Sequence, residues 1–311
     1  MICTVTLNPA LDKIMILEEI NYGENNRIKE QEIDIGGKGT HVAAVLSDLG
    51  VETIATGVIG GKGGEKLCDL LEKRGVKCDF IWIEGIEVRT SYIILLQKDK
   101  KHFMITEKGS EIDRKSIRLI YEKVDKISKK VDYIVFSGGV SPGFDKDIYR
   151  ELIAISKENG AKTVLDASGE YLREGVKSKP FFIKINREEF SELIGEEVSC
   201  EVDIVKKAKN LIDDGVEIVA ITLGKDGSIV VTKNEVLKIF LPHIHAINTV
   251  GCGDTYLAGA LYKMKMRKKL EECFKFATAL SGSKALSWKT SIFDRKEVEL
   301  LLKCVNISYY H

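Results

Sequence analysis

The sequence predicts an α/β fold in which a mostly parallel central sheet is flanked by helices, with a small second β-sheet beside it. Three observations carry this. Short β-rich runs alternate with helical patterns along most of the 311 residues, the alternation that builds βαβ units. Glycine-rich loops fall where strand carboxyl ends belong, the edge at which open α/β sheets bind ligands. Two stretches, 13–35 and 86–106, break the rhythm and look like hairpin strands with no helix between them.

Taken in order, "ICTVTL" reads as a buried strand, and "HVAAVLSDLG" as an amphipathic helix closed by Gly50. "TIATGVIG" is again strand-like, and the helix "EKLCDLLEKRG" ends at Gly75. The pairs "DYIVFSGG" with "DKDIYRELIAISKENG", "AKTVLDAS" with "EYLREGV", and "FFIKIN" with "REEFSELI" repeat the unit. The helix "VDIVKKAKNLIDDG" then leads to the strand "EIVAITLG". Two glycines, Gly251 and Gly253, open a helix over Leu257 to Met264. The remainder, from "LEECFKFATALSGSKALSWKT" to "DRKEVELLLKCV", reads as helical. The irregular segments 13–35 and 86–106 are expected to meet as one small sheet, a lid or a dimer surface, because exposed strand edges need cover. The whole chain, 1–311, is expected to form a single domain with that lid.

Composition narrows the function. With 47 basic and 47 acidic side chains the net charge is zero, so no electrostatic footprint for nucleic acid or an anionic membrane exists. No apolar run approaches a membrane span. The opening "MICTVTLNPALDK" lacks a basic n-region and is not expected to be a signal peptide. Seven scattered cysteines without a C-x-x-C suit reduced thiols in a cytoplasmic enzyme. The lysine runs "KDKKH" and "SKKVD" read as solvated surface, and His243 and His245 of "PHIH" as strand-edge residues rather than metal ligands.

The stretch "INTVGCGDTYLAGAL" is the most pointed. Bare N–H groups at a glycine-opened helix start favour an anion such as phosphate. Asp254 then sits among donors it would compete for; on its own it could be a simple N-cap. None of the loops "IGGKGTHVA", "FSGGVSPG", "LGKDGS" and "VGCGDT" is a dinucleotide fingerprint or a Walker A loop, since Lys38 is followed by Gly39.

Their order is more telling. An early "GGKG" before a helix, "TLGKDG" between strands and "TVGCGDT" before a helix together resemble the PfkB, or ribokinase-like, sugar kinase family over essentially the whole chain. "TLNPALD" (Thr6 to Asp12), "DASGEYL", "KINREEF" and "NTVGCGD" are most similar to its branch of 1-phosphofructokinases and tagatose-6-phosphate kinases. The resemblance implies a ribokinase-like fold and ATP-dependent phosphorylation, with Mg²⁺, of a phosphorylated ketohexose. Fructose 1-phosphate comes first and tagatose 6-phosphate second. A ribose or nucleoside kinase and a non-catalytic sugar-phosphate sensor are the more distant alternatives.

The resemblance also implies roles. Asp254 would be the catalytic base, with Gly251, Cys252 and Gly253 shaping an anion hole for the transferring phosphoryl group. A helix N-terminus would lower the Cys252 thiol pKa and make it reactive if solvent reaches it; otherwise Cys252 is a buried, inert small side chain. Asp12, in the loop after the first strand, would bind sugar hydroxyls, and Gly37 and Gly39 would let the sugar approach the backbone. His41 stands where the family has mostly Asn, and Ser137 opens the "SGGVSPG" segment on the substrate side. Lys38 and Arg89 would clamp the phosphate already on the substrate, although Arg89 alone could be a surface charge. Lys184, Asn186, Thr222, Gly224 and Gly227 would face ATP, and Glu189 would reach Mg²⁺ through water or be a solvated helix residue. A homodimer through the lid is expected, with no nucleic-acid or membrane partner.

Overall fold

The computed structural model describes residues 1–98, 101–242 and 244–310. The chain starts with β1 (Ile2–Thr6), β2 (Ala10–Leu17), β3 (Glu30–Gly36), α1 (Lys38–Asp48), β4 (Thr53–Ile59) and α2 (Gly61–Lys73). The two-residue strands β5 (Lys77–Cys78) and β6 (Ile81–Trp82) follow, then β7 (Arg89–Leu96), β8 (Lys101–Thr106) and α3 (Arg114–Ser128). Next come β9 (Tyr133–Ser137), α4 (Ile148–Glu158), β10 (Lys162–Asp166), α5 (Gly169–Val176), β11 (Phe182–Asn186), α6 (Arg187–Ile194) and α7 (Glu201–Asp213). The last third holds β12 (Ile218–Thr222), β13 (Ser228–Val231), β14 (Val236–Phe240), α8 (Cys252–Lys265), α9 (Leu270–Ala285), α10 (Arg295–Cys304) and β15 (Asn306–Tyr309).

The main sheet runs β15-β14-β13-β12-β11-β10-β9-β1-β4-β5, with β6 also paired to β4. It is parallel from β5 to β12 and antiparallel across β13, β14 and β15. Parallel strands covered on both faces are apolar almost throughout, and β1, β4 and β9 are buried at every residue. Alternate side chains therefore enter two different cores. Val5, Ile134, Phe136 and Leu165 pack with Val124, Leu152 and Phe190 of the helices on one face. Ile2, Val135, Val164 and Ala220 pack with Val45, Leu257 and Phe274 on the other. Each such side chain contributes roughly 1.5–3 kcal/mol by leaving water.

The two irregular segments meet as a four-stranded sheet, β3-β2-β7-β8, in which β2 and β7 are parallel. Its inner face places Ile14, Ile16, Ile93 and Leu95 against Val250 and Trp288 of the main body. The sheet starts earlier than the sequence suggested. Register from Ala10↔Arg89 to Leu17↔Leu96 extends β2 back almost to Pro9, so Asp12 lies on a strand and not in a loop. Residues 18–29 and 86–88 belong to no strand.

Other differences are local. α3 went unmarked in the sequence reading; the "SKKVD" lysines lie exposed at its end. α9 stops at Ala285, and Leu286–Thr290 turns away instead of remaining helical. α8 starts five residues before the expected Leu257, because Gly251 caps it in the left-handed region. His245 is exposed in irregular chain after β14 rather than at a strand edge, and His243 lies outside the described residues, as do Asp99 and Lys100 of "KDKKH".

Candidate active site

Strand ends of the main sheet, the N-termini of α1 and α8, and the second sheet enclose a cleft of about 1060 Å³. Asp12, His41, Arg89, Lys184, Gly227 and Asp254 are among the residues that line it.

α8 supplies the donors. Gly251 has φ 82°, and a Cβ there would stand 1.9 Å from Thr290 O, so only glycine fits. The Cys252 N–H donates to Thr249 O at 3.2 Å and is spent on the turn. The hole is thus narrower than the sequence suggested: the free first-turn donors are the N–H groups of Gly253 and Asp254, and no side chain caps the helix. A Cβ on Gly253 would lie 2.7 Å from Lys184 Nζ, which brings that ammonium over the same spot. The Cys252 thiol is not activated. Burial pushes its pKa up, and Sγ donates to the carbonyls of Asn248 (3.9 Å) and Ser281 (3.7 Å). Here desolvation outweighs the helix dipole.

On the side of the second sheet, His41 bridges two carboxylates. Its Nδ1 lies 2.7 Å from Asp254 Oδ2, and its Nε2 lies 3.1 Å from Asp12 Oδ2 and 2.9 Å from Ile35 O. Burial works against a charged ring, but the two carboxylates outweigh it and push the His41 pKa up to about 10. Burial also lifts Asp12 above the usual carboxylate range, an effect that His41 offsets in part. Arg89 donates to Asn8 O (3.2 Å), Ser91 Oγ (3.3 Å) and Glu107 O (3.3 Å). It forms no ion pair among the described residues, and burial lowers its pKa.

The opposite wall carries a second charged chain. Lys184 Nζ lies 3.1 Å from Asp166 Oδ2, while Lys38 Nζ lies 3.0 Å from both Asp166 Oδ1 and Glu189 Oε1. Burial of Asp166 favours its neutral form, yet the ammonium groups of Lys184 and Lys38 outweigh this and hold its pKa below the usual range. Burial opposes the charge on Lys38 too, and Asp166, Glu189 and Asp254 overcome it and raise its pKa. Lys38 is therefore ion-paired, not the unpaired cation that the sequence reading expected.

Asn186 and Glu189 form a reciprocal capping box at α6, with Glu189 N to Asn186 Oδ1 at 2.7 Å and Asn186 N to Glu189 Oε2 at 2.9 Å. Each oxygen of Asp166 and Glu189 already accepts a hydrogen bond from a protein donor. No group of three or more possible metal ligands occurs among the described residues. The donor set does not fit a resident Mg²⁺ bound directly, while the Glu189 oxygens, each accepting one hydrogen bond, keep lone pairs for water.

The remaining candidates divide. Gly37 (φ 99°) caps α1 and lines the cleft with Lys38. Gly39 and Ser137 do not reach the cleft: both are buried beneath the loop, where a Cβ on Gly39 would meet Thr6 Oγ1 at 2.4 Å and Ser137 Cβ at 3.5 Å. Gly39 is small for packing, not for a ligand. Thr222, Gly224 and Gly227 line the cleft too. Gly227 (φ 87°) is fixed by Ile239 O, 2.1 Å from where its Cβ would be.

Three residues were missed. Asp166, at the end of "KTVLD", had the signal of a carboxylate on a strand's carboxyl end. Lys284 is fully buried, with its pKa lowered by burial, and donates to Asn248 O at 2.7 Å behind the anion-hole loop. No periodicity marks a lysine inside an apolar helix face as functional. His102 of β8 meets Thr249 Oγ1 at 3.0 Å, which ties the second sheet to the same loop.

Comparison with known proteins decides the family. The model for "pfkB family carbohydrate kinase" matches residues 5–292. The chain belongs to the pfkB family of carbohydrate kinases. It is 32% identical to a 1-phosphofructokinase of Borreliella burgdorferi, over 97% of this chain and 96% of the relative. It is 31% identical to a tagatose-6-phosphate kinase of Staphylococcus epidermidis, over 99% of each. Phosphofructokinase-2 from Escherichia coli, solved with substrates and products, superposes with a TM-score of 0.92 at 24% identity, over 97% of this chain and 98% of that one. This last likeness carries the ribokinase-like fold. As a pfkB kinase the chain is an ATP-dependent sugar-phosphate kinase, and the cleft is where its two substrates must meet.

Proposed function

We propose that this kinase transfers the γ-phosphoryl group of ATP to a hydroxyl of a phosphorylated ketohexose, with fructose 1-phosphate as first substrate and tagatose 6-phosphate as second. The single observation that carries the chemistry is Asp254: a carboxylate, 5% exposed, in the first turn of an uncapped helix and beside two free N–H donors. The acceptor hydroxyl gives its proton to Asp254 as its oxygen attacks the γ-phosphorus. The bond between the γ-phosphorus and its bridging oxygen breaks, and ADP leaves with that electron pair. The N–H groups of Gly253 and Asp254, with Lys184, stabilise the charge on the transferring group. Mg²⁺ enters as part of the nucleotide substrate, since this metal keeps water and phosphate ligands readily.

Asp12 holds the acceptor's hydroxyls. Arg89, from the second sheet and without an ion pair, takes the phosphate the substrate already carries. Lys38 belongs with Lys184 on the nucleotide side. The second sheet is the lid, and the reaction is cytoplasmic.

A coupled ATP-consumption assay over a panel of sugar phosphates tests the reading. Asp254→Asn should keep the fold and ATP binding but lose about 10²–10⁴-fold in turnover. Near-normal turnover in that variant would reduce Asp254 to a capping residue, and no turnover by the wild type on any sugar would favour a sensor.

A further inference from the structure

The imidazole of His41 lies wholly among acceptors. Nε2 faces the Ile35 carbonyl at 2.9 Å, which can only accept, so that nitrogen carries a proton. Nδ1 faces Asp254 Oδ2 at 2.7 Å, a carboxylate oxygen. With Asp254 ionised, as a base must be, Nδ1 has to donate as well. The ring is then an imidazolium, 4% exposed, clasped between the acceptor-side carboxylate and the base. The Asn that related kinases mostly place here would be neutral.

We propose that His41 is a positioning residue for phosphoryl transfer, a buried imidazolium that joins Asp12 to Asp254 and keeps both carboxylates ionised and in one orientation. This rests on the kinase reading above. Its hydrogen bond occupies Asp254 Oδ2 and leaves Oδ1 to accept the substrate's proton. A second consequence follows from charge. Asp12 and Asp254 interact as like charges, and the imidazolium between them offsets that repulsion. His41 cannot relay the proton that Asp254 receives, because both of its nitrogens are already protonated; it acts by holding, not by transfer.

Charges on every element around the ring act on the arrangement, and Asp34 opposes the ionisation of Asp12. From β2 comes Asp12, from β3 Asp34 beside it, and from α8 Asp254. Arg89 of β7 acts on Asp12, Lys284 of α9 on both carboxylates, and Lys38, one turn earlier on α1, on Asp254. The sign is fixed by the raised pKa. The contribution of the charged ring is complete below its unfolded value near 6.5 and is lost as pH rises through about 10.

Two measurements decide it. Nitrogen-15 NMR of the ring in the free enzyme should show both His41 nitrogens protonated at pH 7 and one proton lost only toward pH 10. This readout needs no substrate, so it stands even if the sugar assignment fails. In pH–rate profiles, His41→Asn should lower kcat about 10-fold or more while leaving KM for ATP within about two-fold. It should also move the acidic limb of kcat/KM upward by about one pH unit and abolish the alkaline limb near 10. His41→Lys, which returns a cation without the bridging geometry, should restore the acidic limb but not kcat. A neutral ring at pH 7, or a wild-type pH profile in His41→Asn, overturns the proposal.

Discussion

Gly251→Ala tests whether the first turn of α8 is shaped by one glycine. The wild-type residue sits at φ 82°, where a side chain costs about 1–2 kcal/mol. The added Cβ would also lie 1.9 Å from Thr290 O, about 1.5 Å inside ordinary contact. That neighbour is backbone and cannot swing aside, so overpacking adds about 1–3 kcal/mol. Together these predict a fall of roughly 3–8 °C in Tm for a chain of this size. The relief must come from displacing either the Thr290 segment or the helix start, and the donors of Gly253 and Asp254 ride on the latter. A shift of about 1 Å at a reacting centre costs on the order of 10²-fold in rate. Thermal melts and the ATP-coupled assay read the two effects separately. Gly160→Ala, away from the cleft, is the control: φ is 85°, but nothing lies within 4 Å of its added Cβ, so it should show strain alone and a much smaller rate loss. Wild-type Tm and kcat in Gly251→Ala would refute the account of the hole.

Two further outcomes follow from the proposed roles. Arg89→Met should raise KM for the sugar phosphate and narrow its advantage over the free sugar, whereas Lys38→Met should act mainly on ATP; an Arg89→Met variant that discriminates as well as wild type would return Arg89 to a structural role. The outer face of the lid exposes Ile33 (45%), Phe103 (38%) and Ile105 (58%), an apolar strip on a sheet with open edges, so sedimentation should show a homodimer that Ile105→Lys dissociates; a wild-type monomer at micromolar concentration would remove the dimer.

Much of this was legible from local pattern. The parallel strands announced themselves as short apolar runs because both of their faces are buried, and Gly251 marked a helix start because its positive φ admits little else, while Lys184 Nζ takes the space a Cβ on Gly253 would need. What local pattern could not carry is which charges meet. "GGKG" placed Lys38 near ligand, but its partners Asp166 and Glu189 arrive from strands and helices more than a hundred residues away. His41 looked like one altered sugar contact; only the folded chain shows its two nitrogens spanning two carboxylates. Gly39 and Ser137, expected on the substrate side, are not among the residues that line the cleft: Gly39 follows Lys38 in sequence, yet helix phase turns it toward Thr6 and Ser137.

The charges that meet form two alternating chains, and both end at the first turn of α8. Asp12, His41 and Asp254 run along the acceptor wall, with Arg89 near Asp12 but not ion-paired to it; Glu189, Lys38, Asp166 and Lys184 run along the nucleotide wall. Each wall carries two positive and two negative groups, so the unliganded cleft buries charge without net charge, the condition under which buried ions are tolerable. It does not follow that the cations are spent. A lysine ammonium has three N–H donors. Lys38 uses two, on Asp166 and Glu189, and Lys184 uses one, on Asp166. Three donors therefore remain for phosphate oxygens without breaking a single ion pair. On the acceptor wall the same arithmetic leaves Asp254 Oδ1 as the open acceptor, since Oδ2 is held by His41. The nucleotide wall keeps spare donors and the acceptor wall keeps a spare acceptor, which is the polarity that transfer of a phosphoryl group to a hydroxyl requires. In the proposed reaction, the carboxylates that hold the cations in place are what let them meet ATP already oriented, at no cost of reorganisation when charge develops.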